Sequence, residues 1–245
     1  MTIFTYDEGR RTGACRDFLL SSGRIKDCKM LTILPIPTTR DGVRIAGSEQ
    51  TLEAVVSGAG VGCVYLGYGL PAFFRDRLLE RGATVVDAAL DEDFLLGNAR
   101  LTALATVGHL FMPRDRSPDE VSVGVVGYGR IGRALVRCLL ALGVCVRVYS
   151  TRESTVHCLC ASGVDAELVK VGDPIPEVDI FINTAPSQIF DAATPTPTGT
   201  DILELASGEN FPGRKITRLP ALPLRYFPVS AGRLYGEALL RALGV

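Results

Sequence analysis

The chain has 245 residues, 47% of them hydrophobic, which is enough for one large domain or two small ones with an ample core. Its formal net charge is −1 and its basic residues form no patch, arm or stripe, so we do not expect nucleic acid as a partner. No apolar run reaches the roughly eighteen residues of a membrane span, and the N-terminus lacks the pattern of a signal peptide, so we expect a cytoplasmic protein that does not bind membranes.

The first part of the chain alternates short strands with helices, as α/β domains do. The predicted strands are Thr2–Thr5, Cys28–Leu34, Gly62–Leu66 and Thr84–Asp87. The predicted helices are Gly9–Ser21, Leu52–Val56 and Pro71–Glu80. A long apolar helix, Asp91–Met112, is predicted to carry the chain into a second lobe and to set the cleft between the lobes. The polar segment Pro113–Glu120 is predicted to be an exposed connector.

The segment Val121–Ser150 carries the most informative motif of the chain, a G-x-G-x-x-G at Gly127, Gly129 and Gly132. It lies between a predicted strand and a predicted helix, and a second strand follows, which is the context of a dinucleotide site. The first glycine allows a tight turn, the second lets a pyrophosphate approach the backbone, and the third lets the helix pack closely. The N–H groups at the helix start would then face the phosphates. The alternative is a structural glycine turn in an unrelated α/β protein. The predicted cofactor-binding residues of the turn are Gly127, Tyr128, Gly129, Arg130, Ile131 and Gly132.

The residues that follow the second strand bear on the choice of dinucleotide. NAD sites usually place an acidic residue there for the ribose 2′-hydroxyl, whereas this chain has Ser150, Thr151 and Arg152. Two hydroxyls and a guanidinium would hold a 2′-phosphate, so NADP is predicted, with NAD left open. The alternative is that Arg152 is merely solvated and the site does not discriminate.

The seven cysteines are scattered and include no C-x-x-C pair, so they predict neither a disulfide framework nor a metal site. Cys158 and Cys160 lie with His157 on a predicted helix, where positions i and i+2 do not share a face. We therefore expect no bound metal.

Further strands are predicted at Val164–Val169, Asp179–Asn183 and Asp201–Leu205. Ligands of open α/β sheets lie beyond the carboxyl ends of the strands, so the residues there are candidate site residues. The segment after Asn183 is expected to run beside the nicotinamide half of the cofactor, the alternative being a turn held by its own side chains. Its candidates are Thr184, Ala185 and Pro186 for the cofactor and Ser187 for the substrate. In the first lobe the candidates for the substrate are Thr38, Thr39 and Arg40.

A 2-hydroxy-acid dehydrogenase of this layout usually needs a histidine paired with a carboxylate, which form its acid–base pair, and an arginine for the acid group of the substrate. These residues are expected after the Asp201–Leu205 strand and just before the last helix. The chain has Ala206-Ser207-Gly208 at the first position and Phe227–Gly232, with no histidine, at the second. The missing acid–base pair argues against that chemistry and favours a reaction in which proton loss is easy, such as aromatisation of a dihydropyridine ring.

Four segments resemble the A subunit of dipicolinate synthase, the oxidoreductase component that makes pyridine-2,6-dicarboxylate for bacterial endospores. They are LPIPTTRDG, VGYGRIG, DIFINTAPSQIF followed by DILELAS, and ALPLRYFPVSAGRLY. The resemblance implies that the glycine turn binds pyrophosphate, that Ser150–Arg152 take the adenosine end, and that the threonines of the first lobe and the Thr184–Ser187 segment line the active cleft. It also implies that the partner is the flavoprotein-like B subunit of dipicolinate synthase. The implied substrate is a cyclic dicarboxylate, for whose carboxylates Arg40 is the candidate cation.

Three departures from the family pattern touch the cleft, and one of them is an abbreviated first strand and turn in the N-terminal lobe. The joining helix lacks the usual Glu-Gly pair, and Gly208-Glu209-Asn210 replace the arginine, proline and glycines that normally follow L-A-S. Two alternatives to the synthase therefore stay open, a small dehydrogenase of another keto or hydroxy acid and a non-catalytic nucleotide-binding subunit.

The predicted fold is α/β, with two doubly wound parallel-sheet lobes, of which the second is a Rossmann NAD(P)-binding domain. The predicted lobes are residues 1–112 and 118–228, with the final helix, in residues 228–245, packed back on the first lobe or along the joining helix. Dimerisation through the cofactor lobe is left open.

Overall fold

The computed structural model describes residues 2–6, 9–26, 28–111, 115–190, 194–195, 197–207, 210–211 and 215–245. The chain forms two compact units, Met1–Asn98 with Pro223–Val245, and Ala99–Leu222. The predicted end of the joining helix at Met112, the start of the connector at Pro113, and Gly208 and Glu209 lie outside the described residues.

Four parallel strands form the sheet of the first unit in the order β1-β2-β3-β4. They are β1 (Thr2–Thr5), β2 (Met30–Ile33), β3 (Cys63–Gly67) and β4 (Thr84–Asp87). The helices are α1 (Arg10–Ser22), α2 (Leu52–Ser57), α3 (Ala72–Glu80), α4 (Glu92–Phe111), which continues into the second unit, and the C-terminal α8 (Pro228–Leu243). Pro71, predicted as the first helical residue, is instead the N-cap of α3, because its ψ of 137° is extended.

Helices cover both faces of this sheet. Leu31 and Ile33 of β2 face α1 and α8, whereas Tyr65 of β3 points to the opposite face, against α2 and α3. Strands β1, β2 and β3 lie side by side in chain order, whereas α1 and α2 cover opposite faces of the sheet. The β1–α1–β2 connection therefore has the opposite hand to the β2–α2–β3 connection, although nearly all such crossovers share one hand. Tyr235 of α8 donates its hydroxyl to the Leu34 carbonyl at 3.1 Å and so ties the last helix to the end of β2.

The second unit holds a six-stranded parallel sheet in the order β7-β6-β5-β8-β9-β10. Its strands are β5 (Ser122–Val126), β6 (Cys145–Ser150), β7 (Ala166–Leu168), β8 (Ile180–Asn183), β9 (Asp201–Glu204) and β10 (Thr217–Arg218). Its helices are α5 (Arg130–Ala141) and α6 (Glu153–Ala161), and the short α7 (Leu222–Tyr226) lies at the unit boundary. This is the Rossmann strand order, in which the direction of winding reverses between β5 and β8 and leaves a crevice for ligands.

The predicted fold class is confirmed: both units are α/β with parallel sheets, and the second has the Rossmann arrangement. The lobe boundaries at 112, 118 and 228 stay predictions. Among the described residues, no helix is both long enough and apolar enough to cross a bilayer.

Candidate nucleotide-binding site

The glycine turn joins β5 to α5 at the point where the winding reverses. Gly127 has a φ of +89°, a conformation that L side chains rarely adopt, and its N–H donates to the Tyr149 carbonyl at 2.9 Å. A Cβ at Gly132 would lie 2.2 Å from the Gly127 carbonyl oxygen, so only glycine allows the helix this close to the turn. A Cβ at Gly129 would have no described atom within 4 Å, so this position leaves open space beside the backbone.

The first turn of α5 is suited to an anion. Its N-cap is Gly129, and no side chain of a described residue caps it. The first N–H groups of a helix have no partners within the helix, and the helix dipole places partial positive charge beside them. The turn thus has open space at Gly129, no side-chain cap, and a helix that starts close to it. These features fit a diphosphate, which is the group that the motif predicts.

The end of β6 provides hydroxyls and a cation. Ser150 is buried, and its Oγ accepts a hydrogen bond from the Arg152 N–H at 3.1 Å, which shapes the turn after the strand. Thr151 and Arg152 are exposed, and the Arg152 guanidinium forms no hydrogen bond or ion pair with the residues that the structure describes. Neither residue is an acid, and the acid that follows, Glu153, begins α6 with its carboxylate 3.9 Å from His157.

The segment after β8 is tied to the glycine turn. The hydroxyl of Thr184 lies 2.8 Å from the carbonyl oxygen of Val126 and 3.2 Å from that of Gly127. The Thr184 N–H also donates to the Val126 carbonyl at 2.9 Å. The position of this segment is therefore set by the turn that it lines.

These parts surround one cavity of about 290 Å³ in the second unit, close to the lower end of the range for small-molecule sites. Its lining includes most of the predicted cofactor residues and Ser187. Four residues that sequence reasoning missed also line it, Arg133, Tyr149, Thr155 and Ile189. Spacing could have indicated Arg133, which lies one helical turn beyond Gly129. The predicted cofactor and substrate residues in the lining are Gly127, Tyr128, Gly129, Ser150, Thr151, Arg152, Thr184, Ala185, Pro186 and Ser187.

The cavity lining bears on which part of a dinucleotide the segment after β8 would contact. Thr184–Ser187 share the cavity with Ser150–Arg152, which are the residues predicted for the adenosine end. The sequence predicts this segment beside the nicotinamide half instead. The shared cavity favours contact of this segment with the part of the dinucleotide that lies between the pyrophosphate and the adenosine.

Arg133 contacts the glycine turn at Tyr128. Its Nε donates to the Tyr128 carbonyl at 3.1 Å, and its guanidinium carbon lies 5.8 Å from the centroid of the Tyr128 ring. This cation–π contact places a positive charge beside the turn, and none of the described acidic residues forms an ion pair with it.

A buried polar pair lies behind the segment. Asn183 donates from Nδ2 to Oε1 of Glu204 at 3.0 Å, and both residues are almost fully buried. Oε1 also accepts from the Ala206 N–H at 2.9 Å, whereas Oε2 is buried with no hydrogen-bond partner among the described residues. Burial raises the pKa of Glu204, and the amide of Asn210, the Ala206 N–H and Asn183 oppose that rise without cancelling it.

The predicted substrate residues of the other lobe belong to the first compact unit. Thr38 is fully buried, and its Oγ1 accepts from the Tyr68 N–H at 2.9 Å. The Oγ1 of Thr39 accepts from the Gly42 N–H at 2.9 Å, and Arg40 is exposed. Both hydroxyls thus stabilise their loop, and a substrate role for these three residues stays a prediction.

A larger groove of about 570 Å³ lies in the first unit, beside β4 and α8. It presents the carboxylates of Asp87, Asp91 and Asp93, and Arg241 is already paired with Asp91 at 3.0 Å. Such a surface would repel phosphates and carboxylates, so size alone does not make it the nucleotide site.

One family model matches part of the chain. Residues 111–191 match the family model of the NAD-binding domain of D-isomer-specific 2-hydroxyacid dehydrogenases. No match was found among curated protein sequences.

Solved structures give the broader likeness. The A subunit of dipicolinate synthase from Bacillus halodurans is 20% identical with a TM-score of 0.75, over 100% of this chain and 97% of that one. The corresponding chain of dipicolinate synthase from Bacillus subtilis is 22% identical with a TM-score of 0.70, over 91% of this chain and 80% of that one. The D-isomer-specific 2-hydroxyacid dehydrogenase from Lactobacillus delbrueckii ssp. bulgaricus, in its NAD complex, is 10% identical with a TM-score of 0.52, over 100% and 98%. The chain thus contains a Rossmann-type NAD-binding domain, and its fold is similar to that of the dipicolinate synthase A subunit, the resemblance that its motifs predicted.

Proposed function

We propose that this chain is an NADP-dependent oxidoreductase of the same type as the A subunit of dipicolinate synthase. It would oxidise a dihydrodipicolinate-type cyclic dicarboxylate to dipicolinate in the cytoplasm of a spore-forming cell. The NAD-binding domain and the dehydrogenase-like fold support the broader part of this proposal, an oxidoreductase that uses a nicotinamide nucleotide. The single observation that carries it is the open glycine turn before the uncapped start of α5.

The chain's own residues would bind and orient the nucleotide. The N–H groups at the start of α5 would hold the diphosphate, and the open space at Gly129 would let it reach the backbone. When bound, the nicotinamide ring accepts or donates a hydride, which is chemistry that no side chain supplies.

The preference for NADP is argued from the end of β6. Arg152 has no partner among the described residues and lies next to Thr151 in the cavity lining, where a 2′-phosphate would give the guanidinium a charge-assisted hydrogen bond. NAD binding stays open because nothing in this turn excludes a ribose hydroxyl.

The substrate and the partner are proposed from the family resemblance. A dicarboxylate needs cationic or N–H donors, and the exposed Arg40 beside Thr38 and Thr39 is the candidate in the first unit. The expected partner is the flavoprotein-like B subunit of dipicolinate synthase.

A second candidate is a nucleotide-binding subunit without catalysis of its own. It is favoured because the chain lacks an acid–base pair in the segments where a dehydrogenase of this layout carries one. The chain has Ala206 and Ser207 after β9, and α8 begins without a histidine. A dehydrogenase of another keto or hydroxy acid is the third candidate, and the same missing pair argues against it.

The proposal is tested first by binding. Calorimetry with NADP, NADPH and NAD should show binding to the wild type and none to Gly129→Ala. A Cβ at position 129 fills only empty space in the protein, so the thermal midpoint of the variant should stay near that of the wild type. A wild type that binds no nicotinamide nucleotide, or a variant that binds like the wild type, would overturn the proposed site.

Turnover separates the candidate functions. The purified chain, alone and with the B subunit of the synthase, is mixed with dihydrodipicolinate and NADP, and the absorbance of reduced cofactor is followed. Turnover supports the enzyme, whereas binding without turnover in either mixture supports the non-catalytic subunit. Turnover only with an unrelated keto or hydroxy acid supports the third candidate.

A further inference from the structure

The buried pair Asn183–Glu204 spans the carboxyl ends of β8 and β9, and Asn183 contacts a residue of the cavity lining. The side-chain amide of Asn183 makes contacts in two directions. Its Oδ1 accepts from the Ala185 N–H at 3.0 Å, and its Nδ2 donates to the Ala185 carbonyl at 3.1 Å as well as to Glu204. One side chain thus holds both polar groups of Ala185, which lines the cavity.

Glu204 holds Asn183 in that orientation. Its Oε1 accepts from Asn183 and from the Ala206 N–H, so it joins the ends of two adjacent strands. The backbone makes the same link, since the Leu205 N–H donates to the Asn183 carbonyl at 3.0 Å. Without an acceptor at Oε1, the amide of Asn183 could rotate away from Ala185.

From this geometry we infer that Glu204 is a positioning residue of the nucleotide site, which holds the segment Thr184–Ser187 in its cavity-lining conformation through Asn183. The inference rests on the proposed function for its link to nucleotide binding. Neither Asn183 nor Glu204 lines the cavity, so neither is expected to touch the nucleotide.

The role requires a hydrogen-bond acceptor and not a negative charge. Glu204 is 3% exposed, and the charged neighbour that faces it is Arg218, its exposed register partner on β10. Burial favours the neutral acid and so raises the pKa of Glu204, against the opposing effects of Arg218 and the nearby amides. Oε1 can accept from Asn183 in either protonation state, because protonation can take place on the unpartnered Oε2.

This requirement distinguishes two substitutions. Glu204→Gln keeps an acceptor in place of Oε1 and should bind NADP with the affinity of the wild type. Glu204→Ala and Asn183→Ala each break the link, and a lost buried hydrogen bond should weaken NADP binding roughly tenfold. The two effects should not add, because the residues act through one contact.

Thr106→Ala is the matched control. Thr106 is fully buried in the second unit and donates to the Thr102 carbonyl at 2.8 Å, away from the cavity lining. Its loss should lower the thermal midpoint without changing NADP affinity, which separates positioning from general destabilisation.

Amide hydrogen exchange at Ala185 gives a readout without nucleotide. It should quicken in Glu204→Ala and Asn183→Ala and stay slow in Glu204→Gln and Thr106→Ala. If Glu204→Ala does not fold, Glu204→Leu, which also removes the acceptor but keeps more of the side-chain volume, decides the result. Unchanged affinity and unchanged exchange in the alanine variants, or a Gln variant as weak as the Ala variant, would overturn the inference. If the wild type binds no nicotinamide nucleotide, the proposed function falls, and exchange at Ala185 still decides whether Glu204 positions the segment.

Discussion

Two arginines of the second unit, Arg147 and Arg152, differ in what binds their guanidinium groups. Arg147 on β6 is bound to Asp165 at 2.7 Å, and that carboxylate raises its pKa. Arg152, just after the same strand, has no partner among the described residues and lies in the cavity lining. A charged group left available beside a phosphate site is suited to binding an anion, whereas an arginine held by a carboxylate is not.

Arg152→Ala should therefore weaken NADP binding by about tenfold, the effect of losing one charge-assisted hydrogen bond, and leave NAD binding unchanged. Titration calorimetry with the two nucleotides measures this directly. Arg147→Ala is the control and should alter neither affinity. Equal losses for NADP and NAD would argue against a 2′-phosphate contact.

At the scale of elements, the carboxylate of Asp179 links the amino ends of β5 and β8. Asp179 Oδ2 accepts from the Ser122 N–H at 2.8 Å and from its hydroxyl at 2.6 Å, and Arg116 lies 2.7 Å from Oδ1. The Ser122 hydroxyl and N–H, and then Arg116, lower the pKa of Asp179 well below its ordinary value. This contact lies at the opposite strand ends from the nucleotide site.

A carboxyl group whose pKa is lower in the folded state stabilises that state above the unfolded pKa of about 3.9, and the contribution is lost as the pH falls towards the folded pKa. Asp179→Asn should thus be less stable than the wild type at pH 7, and the difference should shrink as the pH falls below about 4. Urea unfolding across this range measures it. A difference that stays constant with pH would show that the charge of Asp179 does not matter.

The contact of α8 with α1 depends on a small residue. A Cβ at Gly232 would lie 2.6 Å from the Cys15 backbone nitrogen and 2.7 Å from the Arg11 carbonyl oxygen. Backbone atoms cannot move aside as a flexible side chain can, so the two helices would have to separate.

Gly232→Ala should lower the free energy of unfolding by about 1–3 kcal/mol through overpacking. Gly13→Ala in α1 is the matched control. No described atom lies within 4 Å of the added methyl, so the variant should gain roughly 0.5–1 kcal/mol from reduced backbone entropy. Chemical denaturation of both variants tests the packing, and a neutral Gly232→Ala would contradict it.

At the scale of the whole molecule, the described lining of the candidate site belongs to the second compact unit alone. A ligand held there stabilises the folded state by mass action, by about 2.7 kcal/mol at a hundredfold excess over Kd. Hydrogen exchange with saturating NADP should therefore slow most around the glycine turn, the end of β6 and Thr184–Ser187. Protection concentrated in β2 and β3 of the first unit would contradict this assignment.

Local patterns in the sequence predicted much of the fold. The predicted strands Thr2–Thr5 and Thr84–Asp87 coincide with β1 and β4, because apolar β-branched runs bounded by turns have few alternatives. The two-residue β10 was missed, since so short a strand has no periodicity and exists only through its pairing with β9.

The amino-acid sequence by itself determined the glycine turn, the strand–helix–strand unit around it and the Ser-Thr-Arg segment at the end of β6, because each depends on neighbours in the chain. Only the tertiary structure decided that Thr184–Ser187 share a cavity with Ser150–Arg152, and that Asn183 meets Glu204. These contacts join strand ends that are distant in sequence. They depend on strand order and burial, which no local pattern of residues encodes.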